Sequence, residues 1–197
     1  MEINVILFSG GKESLFTLDY FAKNSELPTE LLFFDYGQKA VDLEYSALRY
    51  YSKLYNIPFH IIKSPIFFNI DDKEANPDIP YRNSLLSLLA LNYYAVNYPE
   101  KLLTVFLGVS LYYDYSGNDG SHLFLHPINS LIQYYRNSAE IDSVVKLYRP
   151  ADIDEYVSQL DCSHLVICMY GVEKVCGKCY KCKNTEKDFP NIYNKLK

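Results

Sequence analysis

Apolar positions recur along the chain in two rhythms, short unbroken runs and longer stretches at helical spacing. Ile3, Val5, Ile6, Leu7 and Phe8 form a run that is β-branched at its start and too brief for a free-standing helix, which predicts a buried strand. Ser9-Gly10-Gly11 interrupts it. Leu15, Phe16, Leu18 and Phe21 then resume with helical spacing, predicting a first helix from Leu15 to about Asn24, ahead of Leu27-Pro28. Glu30 to Asp35 reads as a second buried strand, so the opening is a βαβ unit with parallel strands. From Lys39 to Tyr55, Val41, Tyr45, Leu48, Ser52 and Tyr55 share one helical face, and Phe59 to Ile62 forms a third strand closed by Ser64-Pro65.

Asn69 to Pro80 is polar and proline-bearing, the pattern of a surface loop. Arg82 to about Tyr98 is apolar nearly all round, as in a helix buried on several sides or packed on a partner subunit. Leu102 to Val109 predicts another buried strand, followed by a polar loop, Asp114 to His122. His126-Pro127 starts a helix through Arg136, with proline at a tolerated first-turn position. Val144 to Tyr148 is predicted as a fifth strand, and Asp152 to Leu160 as a short helix after Pro150. The expected fold is α/β, a Rossmann-like parallel sheet flanked by helices over residues 1–160. Residues 161–197 form a small cysteine-bearing segment packed on the same domain.

A hydrophobic content of 49% over 197 residues is ample for a core. The net charge of −5 argues against an extended nucleic-acid surface. The start MEINVILFSGGKES has no basic region or cleavage site, and no apolar run reaches the roughly 18 residues that a membrane span needs. A soluble, cytoplasmic protein without membrane contact is expected. In that setting five cysteines point to a metal site before disulfides.

Two stretches carry candidate chemistry. Strand, Ser9-Gly10-Gly11 turn and helix point free N–H groups and a positive dipole end at an anion. Paired glycines let the chain approach phosphate oxygens closely, and Ser9 and Ser14 add hydroxyls at either end. The spacing is neither that of a Walker loop nor that of a dinucleotide fingerprint. A Gly-Gly turn after a strand also occurs as a mere turn. Cys168, Cys176, Cys179 and Cys182 follow C-x7-C-x2-C-x2-C. Four thiolates at that spacing suit a closed tetrahedral zinc site with a structural task. An iron–sulfur cluster also accepts repeated C-x2-C. Cys162 and His164 lie outside the pattern and read as structural.

Ser9-Gly10-Gly11-Lys12-Glu13-Ser14 resembles the pyrophosphate loop of PP-loop ATP pyrophosphatases, with Glu13 where that family carries Asp. Together with the cysteine quartet it resembles, more narrowly, the 7-cyano-7-deazaguanine synthases. Asp35-Tyr36-Gly37-Gln38 with Glu44 and Ala47, Pro80-Tyr81-Arg82-Asn83, and Leu107-Gly108-Val109 through Asp114-Tyr115-Ser116-Gly117 and Asp119 follow the family's motifs in order. Tyr81 stands where the family has glycine.

The resemblance implies an ATP-dependent ligase that makes the nitrile from 7-carboxy-7-deazaguanine and ammonia through an acyl-adenylate and an amide. It implies ATP on Phe8, Ser9, Gly10, Gly11, Lys12, Glu13, Ser14, Tyr36 and Gln38, with Mg2+ on the phosphates. Ser9, Lys12, Glu13, Ser14 and Arg82 would carry catalysis. Arg82, Asn83, Gly108, Asp114 and Asp119 would hold the substrate, and Zn2+ would sit on the cysteines of a homodimer.

Three departures bear on the substrate. Gly120-Ser121 replaces the family's Cys-Arg, no lysine follows Pro150 where Ala151-Asp152-Ile153-Asp154-Glu155 runs acidic, and Val166-Ile167 replaces a Thr-Ser entry to Cys168. They leave open a relative that passes a deazaguanine or another carboxylate to a protein or nucleic-acid acceptor. A tRNA sulfur-transfer enzyme with an iron–sulfur cluster and a non-catalytic nucleotide-binding module are further alternatives.

Overall fold

The computed structural model describes residues 2–63, 81–108, 122–135 and 139–197. Among them, β1 (Glu2–Leu7), β2 (Thr29–Asp35), β3 (Phe59–Lys63), β4 (Leu102–Phe106) and β5 (Ala139–Asp142) pair in parallel, in the order β3-β2-β1-β4-β5. The described helices are α1 (Lys12–Asn24), α2 (Val41–Tyr55), α3 (Arg82–Asn97), α4 (Leu125–Tyr135), α5 (Pro150–Ser158), α6 (Tyr180–Asp188) and α7 (Pro190–Leu196).

Period-2 side chains explain the layering, since successive residues point to opposite faces of a sheet. Ile6, Phe8, Leu31, Phe33 and Phe106 face one side and pack with side chains of α1, α2, α5, α6 and α7. Ile3, Val5, Leu32, Phe34, Leu103 and Val105 face the other side, under α3 and α4. Covering both faces is why the central strands read as unbroken apolar runs. The α/β architecture, a parallel sheet flanked by helices, is therefore as expected.

Several boundaries and one element differ from the sequence reading. Helix α1 starts at Lys12 rather than Leu15, because Gly11 takes an extended N-cap conformation and Leu15 N–H already bonds Gly11 C=O at 2.9 Å. On α2 the fully buried residues are Glu44, Ala47, Leu48 and Tyr51, one step round from the predicted stripe. Helix α3 buries only Ser87, Ala90, Leu91 and Tyr94, and leaves Val96 71% exposed.

The fifth strand is Ala139–Asp142, not Val144–Tyr148, which instead contains a single 3-10 turn, Val145–Leu147. Val144 and Val145 are both buried, and a strand cannot aim two consecutive side chains at one layer. Ala139 and Ile141 alternate as a strand requires, and the Asn129 amide takes both the N–H and the C=O of Ile141, at 2.8 and 2.7 Å. That amide occupies backbone groups of an edge strand. The predicted loops at Asn69–Pro80 and Asp114–His122 fall wholly or almost wholly outside the described residues, and so do Asp114 and Asp119.

Candidate functional site

The strand order reverses direction between β1 and β4, and the crevice at the carboxyl ends of the strands there is where open α/β sheets take ligands. Chain 8–14 is folded into that crevice by close packing. Gly10 has φ +73°, and a Cβ there would lie 2.8 Å from Ala47 Cβ and 3.1 Å from Val166 Cγ2. Val166 N–H donates to Gly10 C=O at 2.9 Å, so Val166 supports the turn from beneath. Gly108 is needed for a second close approach, since a Cβ on it would sit 2.7 Å from Glu13 Cβ. Ser14 Oγ donates to Gly11 C=O at 2.9 Å inside the first turn of α1. The first N–H groups of that helix have no carbonyl partner within it.

A cleft of about 670 Å3 opens there. Phe8, Ser9, Gly11, Lys12, Glu13 and Ser14 are among its lining residues, as are Tyr36, Gln38, Arg82, Asn83 and Gly108. Of the nucleotide- and substrate-site residues expected from sequence and described, Gly10 alone does not line the cleft, being buried beneath the turn. Gln38 is held by three bonds. Its amide donates to Phe34 C=O at 3.0 Å and to Glu44 Oε2 at 2.5 Å, and its oxygen accepts from Tyr36 N–H at 3.0 Å.

The cleft also has residues that sequence reasoning missed. Glu44 lines it from α2, and Tyr180, Lys181, Asn184 and Thr185 line it from α6. No sequence signal marked Lys181, because metal-ligand spacing does not say where the side chains between ligands point. Glu44 belongs to one of the sequence motifs, but a helical acid reads as solvated until the fold buries it.

The cleft gathers three cations, Lys12, Arg82 and Lys181, with two carboxylates, Glu13 and Glu44. Lys12 Nζ pairs with Glu13 Oε1 at 2.8 Å and lies 4.2 Å from the centre of the Phe189 ring. Burial raises the Glu44 pKa, against the Gln38 bond and the charges of Lys181 and Arg82. Burial likewise raises Tyr36, whose hydroxyl is bonded to the Arg82 guanidinium. The acidic stretch after Pro150 is turned away from this chemistry. Asp152 pairs with Arg149 at the surface, and the Asp154 carboxylate accepts from Asn191 and Ile192 N–H, both at 2.9 Å, capping α7.

Next to the cleft, Cys168, Cys176, Cys179 and Cys182 bring four sulfurs within 4.8 Å of one another, with Cys176 and Cys182 Sγ 3.8 Å apart. A tetrahedral ion about 2.3 Å from each sulfur would separate them by about 3.8 Å, so the group fits one metal ion. Amides of Lys178 and Cys179 point at Cys176 Sγ, at 3.4 and 3.3 Å. Burial opposes ionisation of that thiol, yet these donors bring its pKa down to about 6, favouring the thiolate that a metal requires.

Gly171 docks the cysteine segment on the 38–40 turn, because a Cβ there would lie 2.6 Å from Lys39 C=O. Cys162 and His164 take no part in the group. The Cys162 thiol donates to Val157 C=O at 3.3 Å, and the His164 ring stacks on Tyr50 at 4.0 Å.

No protein-family model matches the chain. A 7-cyano-7-deazaguanine synthase from Prochlorococcus marinus (strain MIT 9215) is 28% identical over 207 residues, covering 91% of this chain and 89% of its own. Among solved structures, a predicted tRNA methyltransferase subunit from Methanocaldococcus jannaschii superposes with TM-score 0.54 at 17% identity, over 80% of this chain and 75% of that one. The U34-tRNA thiolase from Methanococcus maripaludis, solved with its [4Fe-4S] cluster, gives TM-score 0.50 at 14% identity, over all of this chain and 69% of that one. At such identities the two structures speak to fold alone. The resemblance carried by the motifs is thus met by a whole-length relative, and the chain is similar to a 7-cyano-7-deazaguanine synthase on a PP-loop-like α/β fold.

Proposed function

We propose that the chain is an ATP-dependent ligase converting 7-carboxy-7-deazaguanine and ammonia into 7-cyano-7-deazaguanine. The observation that carries this reading is the meeting of the Ser9–Ser14 turn, Tyr36, Gln38, Arg82 and Asn83 in one cleft at the sheet's switch point. A carboxylate is a poor electrophile until one of its oxygens is made a leaving group. Attack of that oxygen on the α-phosphorus of ATP gives an acyl-adenylate, and pyrophosphate leaves into the turn, whose N–H groups stabilise the developing charge. Ammonia displaces AMP to give the amide. A second ATP adenylates the amide oxygen, and loss of AMP with two protons leaves the nitrile. Both carboxyl oxygens depart in AMP, so one pocket serves both rounds.

Mg2+ would ride on the phosphates with few protein ligands, Glu13 among them. The four cysteines would hold one Zn2+ whose closed coordination makes its task structural. Residues 161–197 then act as a braced segment on a 1–160 nucleotide-binding domain. A cytoplasmic homodimer is the proposed assembly, supported by the apolar side chains that α3 leaves exposed.

The test is incubation of the purified protein with the acid, ATP, magnesium and ammonium. AMP, pyrophosphate and the nitrile are the expected products, and intact ATP with metal present overturns the assignment. Gly120-Ser121 in place of Cys-Arg favours a second reading, transfer of the activated acid to a protein or nucleic-acid acceptor. In that case mass spectrometry finds an adduct and no free nitrile.

A further inference from the structure

Lys181 stands between two of the clustered cysteines, Cys179 and Cys182, in the first turn of α6, yet it lines the cleft. Its charge is felt by Arg82 and Glu44 on one side and by Lys12 and Glu13 on the other. The three cations are not equivalent. Lys12 is tied to Glu13 and the Phe189 ring, and Arg82 to Tyr36. The Lys181 ammonium makes no hydrogen bond or ion pair with any described residue, although its backbone C=O accepts from Thr185 Oγ1 at 2.8 Å. Lys181 is exposed and lines the open cleft, so its ammonium, without a partner of its own, is accessible to an anion from outside the chain.

We propose that Lys181 is a catalytic residue whose ammonium binds the α-phosphoryl group of ATP while pyrophosphate departs. The inference rests on the adenylation reading above. If the Ser9–Ser14 turn takes the β- and γ-phosphates and Arg82 the acid, the α-phosphorus lies between them, within reach of both pairs as Lys181 is. At that phosphorus the bond to the acid's oxygen forms and the bond to the pyrophosphate oxygen breaks, its electron pair leaving with pyrophosphate. Lys181 stays protonated throughout and offsets charge on the equatorial oxygens. The cysteine site would gain a second consequence, since a metal held by Cys179 and Cys182 would order the turn that carries Lys181.

The experiment compares wild type, Lys181→Gln and Lys181→Arg by calorimetry with two probes, AMP and magnesium pyrophosphate. AMP has only the α-phosphate and pyrophosphate lacks it. Loss of one charge-assisted bond weakens AMP binding by about tenfold in Lys181→Gln, with pyrophosphate unchanged within about twofold and Lys181→Arg close to wild type. Metal content and far-UV spectra matching wild type show that each variant is folded. If Lys181→Gln is not folded, Lys181→Met takes its place, with the same loss of AMP binding expected. Equal AMP affinity in folded Lys181→Gln overturns the assignment while leaving the nucleotide reading intact. An equal loss for both probes overturns it as well, placing Lys181 in the general field of the cleft. A wild-type protein that binds neither probe overturns the adenylation reading and this one with it.

Discussion

Tyr81 caps the start of α3 in the left-handed region, at φ +59°, and the residue is 77% exposed. An L side chain there costs roughly 1–2 kcal/mol, which glycine avoids. Part of that relief is offset by the greater freedom glycine gives the unfolded chain. Tyr81→Gly is therefore expected to raise stability by about 0.5–1 kcal/mol, read as a higher urea midpoint; a lower midpoint would mean that the exposed ring makes compensating contacts. The two residues that follow, Arg82 and Asn83, face the cleft, so the strained cap sits where the helix presents them. Gly10 is the opposite case, a left-handed position filled by the residue suited to it, with no room for a Cβ.

Between elements, one buried carboxylate does much of the joining on the α1 face. Asp19 of α1 accepts from Tyr55 of α2 at 2.9 Å and from Tyr156 of α5 at 2.5 Å, and pairs with Lys23 at 2.8 Å. Burial opposes its charge, but the bonds from Lys23, Tyr156 and Tyr55 outweigh that penalty and lower its pKa. A carboxyl with a depressed folded pKa contributes stability above its unfolded value, about 3.9, and loses it as pH falls through the lower folded value. Asp19→Asn should cost about 1–3 kcal/mol at pH 7. The gap from wild type should narrow as denaturation is measured at successively lower pH, below about 4. A gap independent of pH would show that shape, not charge, joins the helices. The same scale explains the misplaced fifth strand. Val144 and Val145 have the composition of a strand, but their burial as neighbours under the α1 face selects a 3-10 turn.

For the molecule as a whole, the cysteine group and the main core are one body. Cys168, Cys179 and Cys182 pack in the same cluster as Phe8, Leu15, Ala47 and Ile192. A resident metal, coupled to folding by about 10–16 kcal/mol in small zinc domains, would therefore support more than its own turn. Treatment with a strong chelator is expected to lower the thermal midpoint and expose apolar surface, checked by melting curves with and without re-added zinc. An unchanged midpoint would show that the sulfurs hold the segment without an ion.

The sheet, its parallel sense and the cysteine group were legible in the chain because each depends on a local pattern: an apolar run, a crossover helix, a ligand spacing. So was the turn at Ser9–Ser14, since Gly10-Gly11 between strand and helix is a local requirement. What only tertiary structure decided were relations across long sequence distances. Val166 lies under Gly10, Asp154 serves α7 rather than the cleft, and Lys181 lines the same cleft as the Ser9–Ser14 turn about 170 residues away along the chain. Periodicity tells which way a side chain faces on its own element. Which other element it meets is set by how the layers stack, and that is where the cleft acquired its third cation.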